Sequence, residues 1–423
     1  MDQHRLHTIH MLSTRQDATC RASPRHEAQR HEESPRSHAL TIRASVASCL
    51  QLSVAKALEE DSGMAKQIGY AVVGLSDITL RAVLPAFTRA AENSRLVAIV
   101  ADDRARAQAA AQEFRAAAYH YDEFRQCLQR DDVNAVYLLA PNSMHCDYAV
   151  EAARAGVHIL CEKPMAVMAD ECRRMIRTTQ TNRVKLMIGY RLQFHPAHAK
   201  ALELLRGGAI GAPKTIGTTL TTRIEDPDDA RLQRRLGGGS VYDLGVSCIH
   251  AARTLFATEP AQVMAMTART SRRYGGDVDE GTVALIRFPD ERLAHLHTSF
   301  GEEPTAIMRI LGEDGWIRLH NAYLHDVPVT LEMVRRGQRE ELVFEPTDQF
   351  AAELSYFSSC ILQDRPPEPS GIEGLQDVRL VEAIYRSARD GRPVTLPRLA
   401  RPEAVPAAEP DVRRAMADRR QAG

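Results

Sequence analysis

Gln67-Ile68-Gly69-Tyr70-Ala71-Val72-Val73-Gly74 is the stretch on which the fold turns. Ile68–Val73 is a short apolar run that stops at a glycine, the pattern of a strand buried on both faces. An apolar-periodic segment follows from Ile78 to Ala91, and Leu96–Val100 then predicts a second strand. Residues 104–116, with alanines throughout, predict a second helix. The rhythm continues with a strand at Val136–Leu139, a helix from about Ser143 to Ala155, a strand at His158–Cys161, a helix near 169–180 and a strand at Val184–Gly189. Strands alternating with helices of roughly 10–15 residues are βαβ units, and these build a parallel sheet.

Past residue 190 the rhythm changes. A polar, glycine-ending loop spans 226–239 and a helix runs from about Ser240 to Phe256. Strand-like stretches then follow one another at 261–270, 281–288, 292–300, 304–311, 315–320, 327–335 and 340–345. Consecutive strands without intervening helices imply a mixed or antiparallel sheet. Two helices are expected to close that domain. Phe350, Leu354, Phe357 and Ile361 share a face of the first; Leu375, Val378, Val381 and Ala388 share one of the second, with Gly391 as its stop. The reading is α/β: a Rossmann dinucleotide-binding domain over 64–189, then an α+β domain with a large mixed or antiparallel sheet over 190–400. Residues 1–63, rich in Arg, His, Ser and Gln at their start, read as a disordered extension, with Met64 a plausible beginning of the folded chain. Residues 401–423 read as a loose tail.

The bulk properties exclude several classes. The chain has 423 residues, 44% hydrophobic and 26% charged, with a formal net charge of −1. That balance gives no electrostatic case for nucleic acid or an anionic membrane surface. No apolar run approaches the roughly 20 residues of a membrane helix. Eight scattered cysteines, without a C-x-x-C pair, read as reduced thiols in a cytoplasmic protein rather than a disulfide or zinc framework.

The turn after the first strand reads Gly74-Leu75-Ser76-Asp77-Ile78-Thr79. A dinucleotide fold wants Gly-x-Gly-x-x-Gly/Ala there: one glycine for the tight turn, one to admit the pyrophosphate, one for close helix packing. Only the first glycine is present, and taken alone the motif reads equally well as a plain turn. Ser76 is small and able to bond a phosphate. After the second strand, Asp102 suits the ribose hydroxyls of NAD and Arg104 a 2′-phosphate of NADP, and both also suit solvated loop positions. NAD and NADP both stay open.

Three later segments and a fourth add specificity. Ala140-Pro141-Asn142-Ser143-Met144-His145, Glu162-Lys163-Pro164 and Gly189-Tyr190-Arg191 each follow an expected parallel strand, where ligands bind in open α/β sheets. With Gly237-Gly238-Gly239-Ser240-Val241-Tyr242-Asp243-Leu244-Gly245, the chain resembles the glucose–fructose oxidoreductase, inositol dehydrogenase and dihydrodiol dehydrogenase family (Gfo/Idh/MocA) over roughly residues 66–398. The resemblance implies an NAD- or NADP-dependent oxidoreductase that moves a hydride to or from a sugar, polyol or cyclic diol, and a homodimer or homotetramer joined through the open face of the second sheet. It implies that Lys163 is the catalytic lysine, supported by Asp243. It places Asn142, His145, Glu162 and Arg191 at or near the cofactor, beside Gly74, Leu75, Ser76, Asp77 and Ile78.

One departure touches the proton route. Asp243, Ser247, His250 and Thr254 read as one polar stripe on the helix 240–256. The family commonly carries His or Tyr four residues after the aspartate; Ser247 stands there. His250 lies about 10 Å further along the axis at 1.5 Å per residue. The proton then passes through Lys163, Tyr242, His250 or water. A dinucleotide-binding regulator that has lost catalysis is the alternative function. Other groups weigh less. His295 and His297 share a strand face without a third ligand, so no metal is expected. His195 and His198 flank a helix start, either lining the cleft or at the surface. Arg231, Arg234 and Arg235 either grip an anion or form a solvated charge run.

Overall fold

A computed structural model describes residues 67–270 and 277–397. The expectations for 1–63 and 401–423, like Cys20 and Cys49, lie outside these residues. Six strands form the first sheet: β1 (Ile68–Val73), β2 (Ser94–Ala101), β3 (Ala117–His120), β4 (Ala135–Leu138), β5 (His158–Glu162) and β6 (Leu186–Gly189). Their order is β3-β2-β1-β4-β5-β6, all neighbours parallel. This is the doubly wound dinucleotide order, and its reversal between β1 and β4 opens the crevice where such folds hold their ligand. β1 and β4 are buried along their whole length, as strands covered by helices on both faces must be.

Nine strands form the second sheet: β7 (Pro213–Arg223), β8 (Gln262–Ala268), β9 (Gly281–Arg287), β10 (Leu293–Ser299), β11 (Gly301–Gly312), β12 (Gly315–His320), β13 (Val329–Arg335), β14 (Gln338–Phe344) and β15 (Val394–Thr395). The order is β14-β13-β12-β11-β7-β10-β9-β8-β15, with β7 and β10 parallel and the other pairs antiparallel. β9 and β10 alternate: Thr282, Ala284, Ile286, Ala294 and Leu296 face the core, while Val283, Leu285 and Leu293 are exposed.

One expectation is corrected. The helix Gln349–Leu362 does not close the second sheet but packs on the first. Its Phe350, Leu354 and Phe357 join Tyr70, Val72 and Tyr137 in one core, and Ser358 Oγ lies 2.8 Å from the Tyr70 hydroxyl. Burying that apolar stripe against an already covered parallel sheet removes the last open face of β1 and β2 from water. The final helix, Gly371–Asp390, packs between Ala169–Thr181 and β8 and so ties the two sheets together.

Candidate active site

Lys163 follows directly on β5, at the carboxyl end of the parallel sheet. Its Nζ donates to the Asp243 carbonyl oxygen at 2.8 Å and to Asp243 Oδ1 at 3.2 Å. The two side chains are 26% and 21% exposed, so the pair stands in a cleft mouth rather than in the core. An ammonium has three donors; among the described residues two are spent on Asp243, leaving one direction for a substrate oxygen. The other carboxylate oxygen of Asp243 is 3.7 Å from Arg231 Nη1, and Arg231 is itself held at both ends by Asp229. The charge run 231–235 therefore contributes one residue to the site, which the sequence read only as an anion grip or a solvated face. Its spacing from Asp229 is a weak signal; the folding of Gly237-Gly238-Gly239 brings it in.

Asp243 reaches the lysine because its helix opens as a wide π-turn, Val241–Gly245, before the regular helix Val246–Phe256. Such turns carry an extra residue and gather at functional sites. Ser240 anchors it, donating to buried Asp279, which also accepts from Thr282 and Tyr385. Gly239, at φ 133°, is required there: a Cβ would stand 2.4 Å from the Tyr385 hydroxyl. The π-turn also breaks the expected polar stripe. His250 is turned toward Asp377, whose Oδ2 lies 2.9 Å from its Nδ1, and its ring stacks on Tyr190 at 3.6 Å. Its Nε2 is 2.9 Å from the Gln193 amide nitrogen. Both ring nitrogens are thus engaged inside the protein, and His250 is placed in support rather than proton transfer. Tyr242 is corrected likewise: its hydroxyl donates to the Val167 carbonyl at 2.7 Å and its ring stacks on Tyr385.

The expected cofactor residues divide into those that face the crevice and those that build it. Ser76, Asp77 and Ile78 are exposed at the end of β1 with Leu75 half-buried. The Ser76 hydroxyl is 3.0 Å from Thr79 Oγ1, so it closes the turn. Gly74 sits at φ 108°, and a Cβ there would fall 2.4 Å from the Ala140 nitrogen; the ends of β1 and β4 can draw this close only around glycine. Asn142 donates to the Gly237 carbonyl at 2.8 Å. His145 is corrected: it is 1% exposed, its ring nitrogens 3.0 and 2.9 Å from the Pro164 and Ala140 carbonyls. Burial lowers its pKa. It pins the loop after β4 to the lysine segment. Arg191 is also turned inward, onto Gln349 Oε1 at 2.7 Å and the Tyr323 carbonyl at 2.8 Å. Glu162 Oε2 accepts the Lys163 backbone N–H at 3.1 Å, orienting the lysine from behind.

A cleft of about 400 Å³ opens beside β3 and β4, lined by Tyr121, Met144 and Tyr148 and by the charged Asp122, Arg125 and Asp147, among others. The exposed Asp102 lies close enough to both phenols to add to the upward shift that burial causes, pushing Tyr148 to about 12. Arg104 is held by Glu123, its Nη1 2.9 Å from both carboxylate oxygens. His195 is buried and His198 half-buried, its Nε2 against the Ala322 carbonyl, neither on a surface loop. His195 caps the helix Pro196–Arg206, and burial lowers both pKa values to about 4. His295 and His297 lie on the outer face of β10, His297 beside Glu302. Among the described residues no group of three or more His, Cys, Asp or Glu forms a metal site. The six described cysteines are free and buried, and among the described residues no helix is long and apolar enough to cross a membrane.

The comparisons agree with this geometry. The model of an oxidoreductase family with an NAD-binding Rossmann fold matches residues 68–190. The model of that family's C-terminal alpha/beta domain matches 202–396. The chain is 31% identical to a D-xylose 1-dehydrogenase (NADP(+)) of Haloferax volcanii, covering 77% of this chain and 99% of that protein. It resembles the crystal structure of an aldose-aldose oxidoreductase from Caulobacter crescentus complexed with glycerol, with a TM-score of 0.74, 34% identity and 78% and 100% of the two chains covered. A 3-ketoreductase from Actinomadura kijaniata, in complex with NADP and TDP-benzene, matches with a TM-score of 0.70 and 27% identity over 76% and 98%. With a 3-2-1-4-5-6 sheet, a lysine after β5 held by an aspartate from a wide helical turn, and both family models in order, the chain belongs to the Gfo/Idh/MocA family of NAD(P)-dependent oxidoreductases.

Proposed function

We propose that the protein interconverts a carbinol and a carbonyl on a sugar or polyol, with Lys163 as the catalytic residue and Asp243 as its orienting partner. The observation that carries this is the Lys163 ammonium, one-quarter exposed at the carboxyl end of β5 and tied twice to Asp243. The crevice fits a dinucleotide: Gly74 admits the close approach of β1 and β4, and the cleft beside β3 and β4 presents the aromatic faces of Tyr121 and Tyr148. When bound there, the nicotinamide supplies the hydride acceptor or donor. Lys163 holds the reacting oxygen through its third N–H and stabilises negative charge developing on it. Asp243 fixes the direction of the ammonium, and Arg231 fixes Asp243. Glu162 holds the lysine backbone. Ser247 brings no titratable group to this face, so the proton is exchanged at Lys163 Nζ.

Asp102 and Glu123 favour NAD over NADP. An exposed carboxylate at the end of β2 bonds ribose hydroxyls and repels a 2′-phosphate, and Glu123 already occupies the arginine that a phosphate would need. Buried free thiols suit a cytoplasmic enzyme. The exposed Met264, Met266, Val283 and Leu285 on the open sheet face suit a homo-oligomer. The test is a fluorescence titration with NADH and NADPH, followed by a screen of aldoses and polyols for a change in nicotinamide absorbance. Binding with turnover is the expected result; binding without turnover on any of them would make the protein a regulator, and binding of neither would overturn both.

A further inference from the structure

Behind Lys163 lies a buried group that the reaction does not use directly. The Tyr137 hydroxyl on β4 is 2.9 Å from Glu162 Oε1 and 2.9 Å from Glu353 Oε2. Tyr137 and Glu353 are both 0% exposed. A phenol owns one hydrogen and can donate to one acceptor only. Two carboxylates cannot both be satisfied by it, so one of the two acids must itself carry a proton and donate it to the phenol oxygen. The geometry decides which. Glu162 is half-buried and Oε2 already accepts the Lys163 backbone N–H. Glu353 Oε1 is buried without a hydrogen-bond partner among the described residues. A bare, ionised carboxylate oxygen there costs far more than a neutral carbonyl oxygen. Arg191, the cation facing this cluster, spends its guanidinium on Gln349 and the Tyr323 carbonyl.

We propose that Glu353 is a positioning residue that carries a proton at neutral pH and, through Tyr137, holds Glu162 as the carboxylate that orients Lys163. The proton sits on Glu353 Oε2 and is donated to the Tyr137 oxygen; the Tyr137 hydrogen is donated to Glu162 Oε1. Every polar hydrogen in the chain then has one acceptor. The titratable and charged groups facing Glu353 are Tyr70 from β1, Tyr137 from β4, Glu162 from β5 and Arg191 after β6. Burial, and next the Glu162 carboxylate, push Glu353 well above the usual carboxylate range, against the pull of Tyr137 and Arg191; burial raises Glu162 too, but there the Lys163 ammonium, Tyr137, Arg191 and the Lys163 backbone N–H all pull it back.

Infrared difference spectroscopy tests this on the full chain without any substrate, so its outcome is independent of which sugar is turned over or whether any is. The wild-type protein at pH 7 is expected to show the carbonyl stretch of a protonated, hydrogen-bonded carboxylic acid. E353Q, which keeps a donor at the same place, is expected to lose that band. E162Q is expected to keep it. Should E353Q fail to fold, Tyr137→Phe supplies the second readout: the band stays but moves to the position of an acid without an acceptor. Absence of the band in the wild type, or its loss in E162Q and persistence in E353Q, would overturn the assignment.

Discussion

The two ends of one helical segment carry the same kinds of groups to opposite ends. At its wide first turn, Asp243 meets Lys163 in a pair about one-quarter exposed. Two turns on, His250 and Arg253 meet Asp377 with exposures of 6% or less, and Arg253 is further held by Glu259 and Glu373. The open pair contributes little to stability, since water screens it, and its groups stay free to meet a ligand. The closed network has its donors used inside the protein, and breaking it strands a charge. Solvent access, more than residue type, separates the reacting pair from the structural one.

The largest effect should come from the closed side. Asp377→Ala would leave Arg253 and His250 without their shared acceptor and cost about 3–5 kcal/mol of unfolding free energy, read by urea denaturation. Burial raises the Asp377 pKa, but Arg253 and His250 outweigh it and hold the carboxyl below its ordinary value. A carboxyl depressed in the folded state stabilises above its unfolded pKa and loses this as pH falls, so the variant should also be less sensitive to acid than the wild type. Next, Lys163→Ala should lower kcat/KM by about 10²–10³-fold with stability changed by under about 1 kcal/mol; a large loss of stability would erase the distinction between the two pairs. At the far end of the crevice, NADH should bind about tenfold more tightly than NADPH, about 1.4 kcal/mol. Glu123→Gln, by releasing Arg104, should narrow the gap in the same titration. Smallest, Tyr242→Phe should cost about 1 kcal/mol for the bond to Val167 and leave turnover intact; lost turnover would return that phenol to proton transfer.

The parallel sheet was legible because β1 and β4 are apolar runs buried along their length, and β5 carries the apolar Ile159-Leu160-Cys161 before Glu162. β7 was not. Its inward positions include Thr218, 3% exposed, and its Gly217 leaves room for the His295 ring, to which a Cβ would come within 2.4 Å. A threonine-rich strand with a glycine in it has little apolar alternation to read, although it lies at the centre of the second sheet. The Lys163–Asp243 pair could be expected only through resemblance, since 80 residues separate its members. Arg231, Glu353 and the inward turns of His145, Arg191 and His250 depend on which neighbours a side chain meets, and periodicity carries no such information. The helix Gln349–Leu362 showed its apolar stripe but not which sheet the stripe would cover.

The wide turn at Val241–Gly245 also amounts to a counting device. It accommodates one residue more than a regular helix would over the same rise. Deleting a single residue there would let the regular helix run on unbroken, keep the buried face of Val246–Phe256 in place, and swing Asp243 by about 100° around the axis. The aspartate would leave Lys163 while the composition of the site stayed almost the same. In this chain the register of one turn, as much as the identity of the acid, decides whether the lysine has a partner.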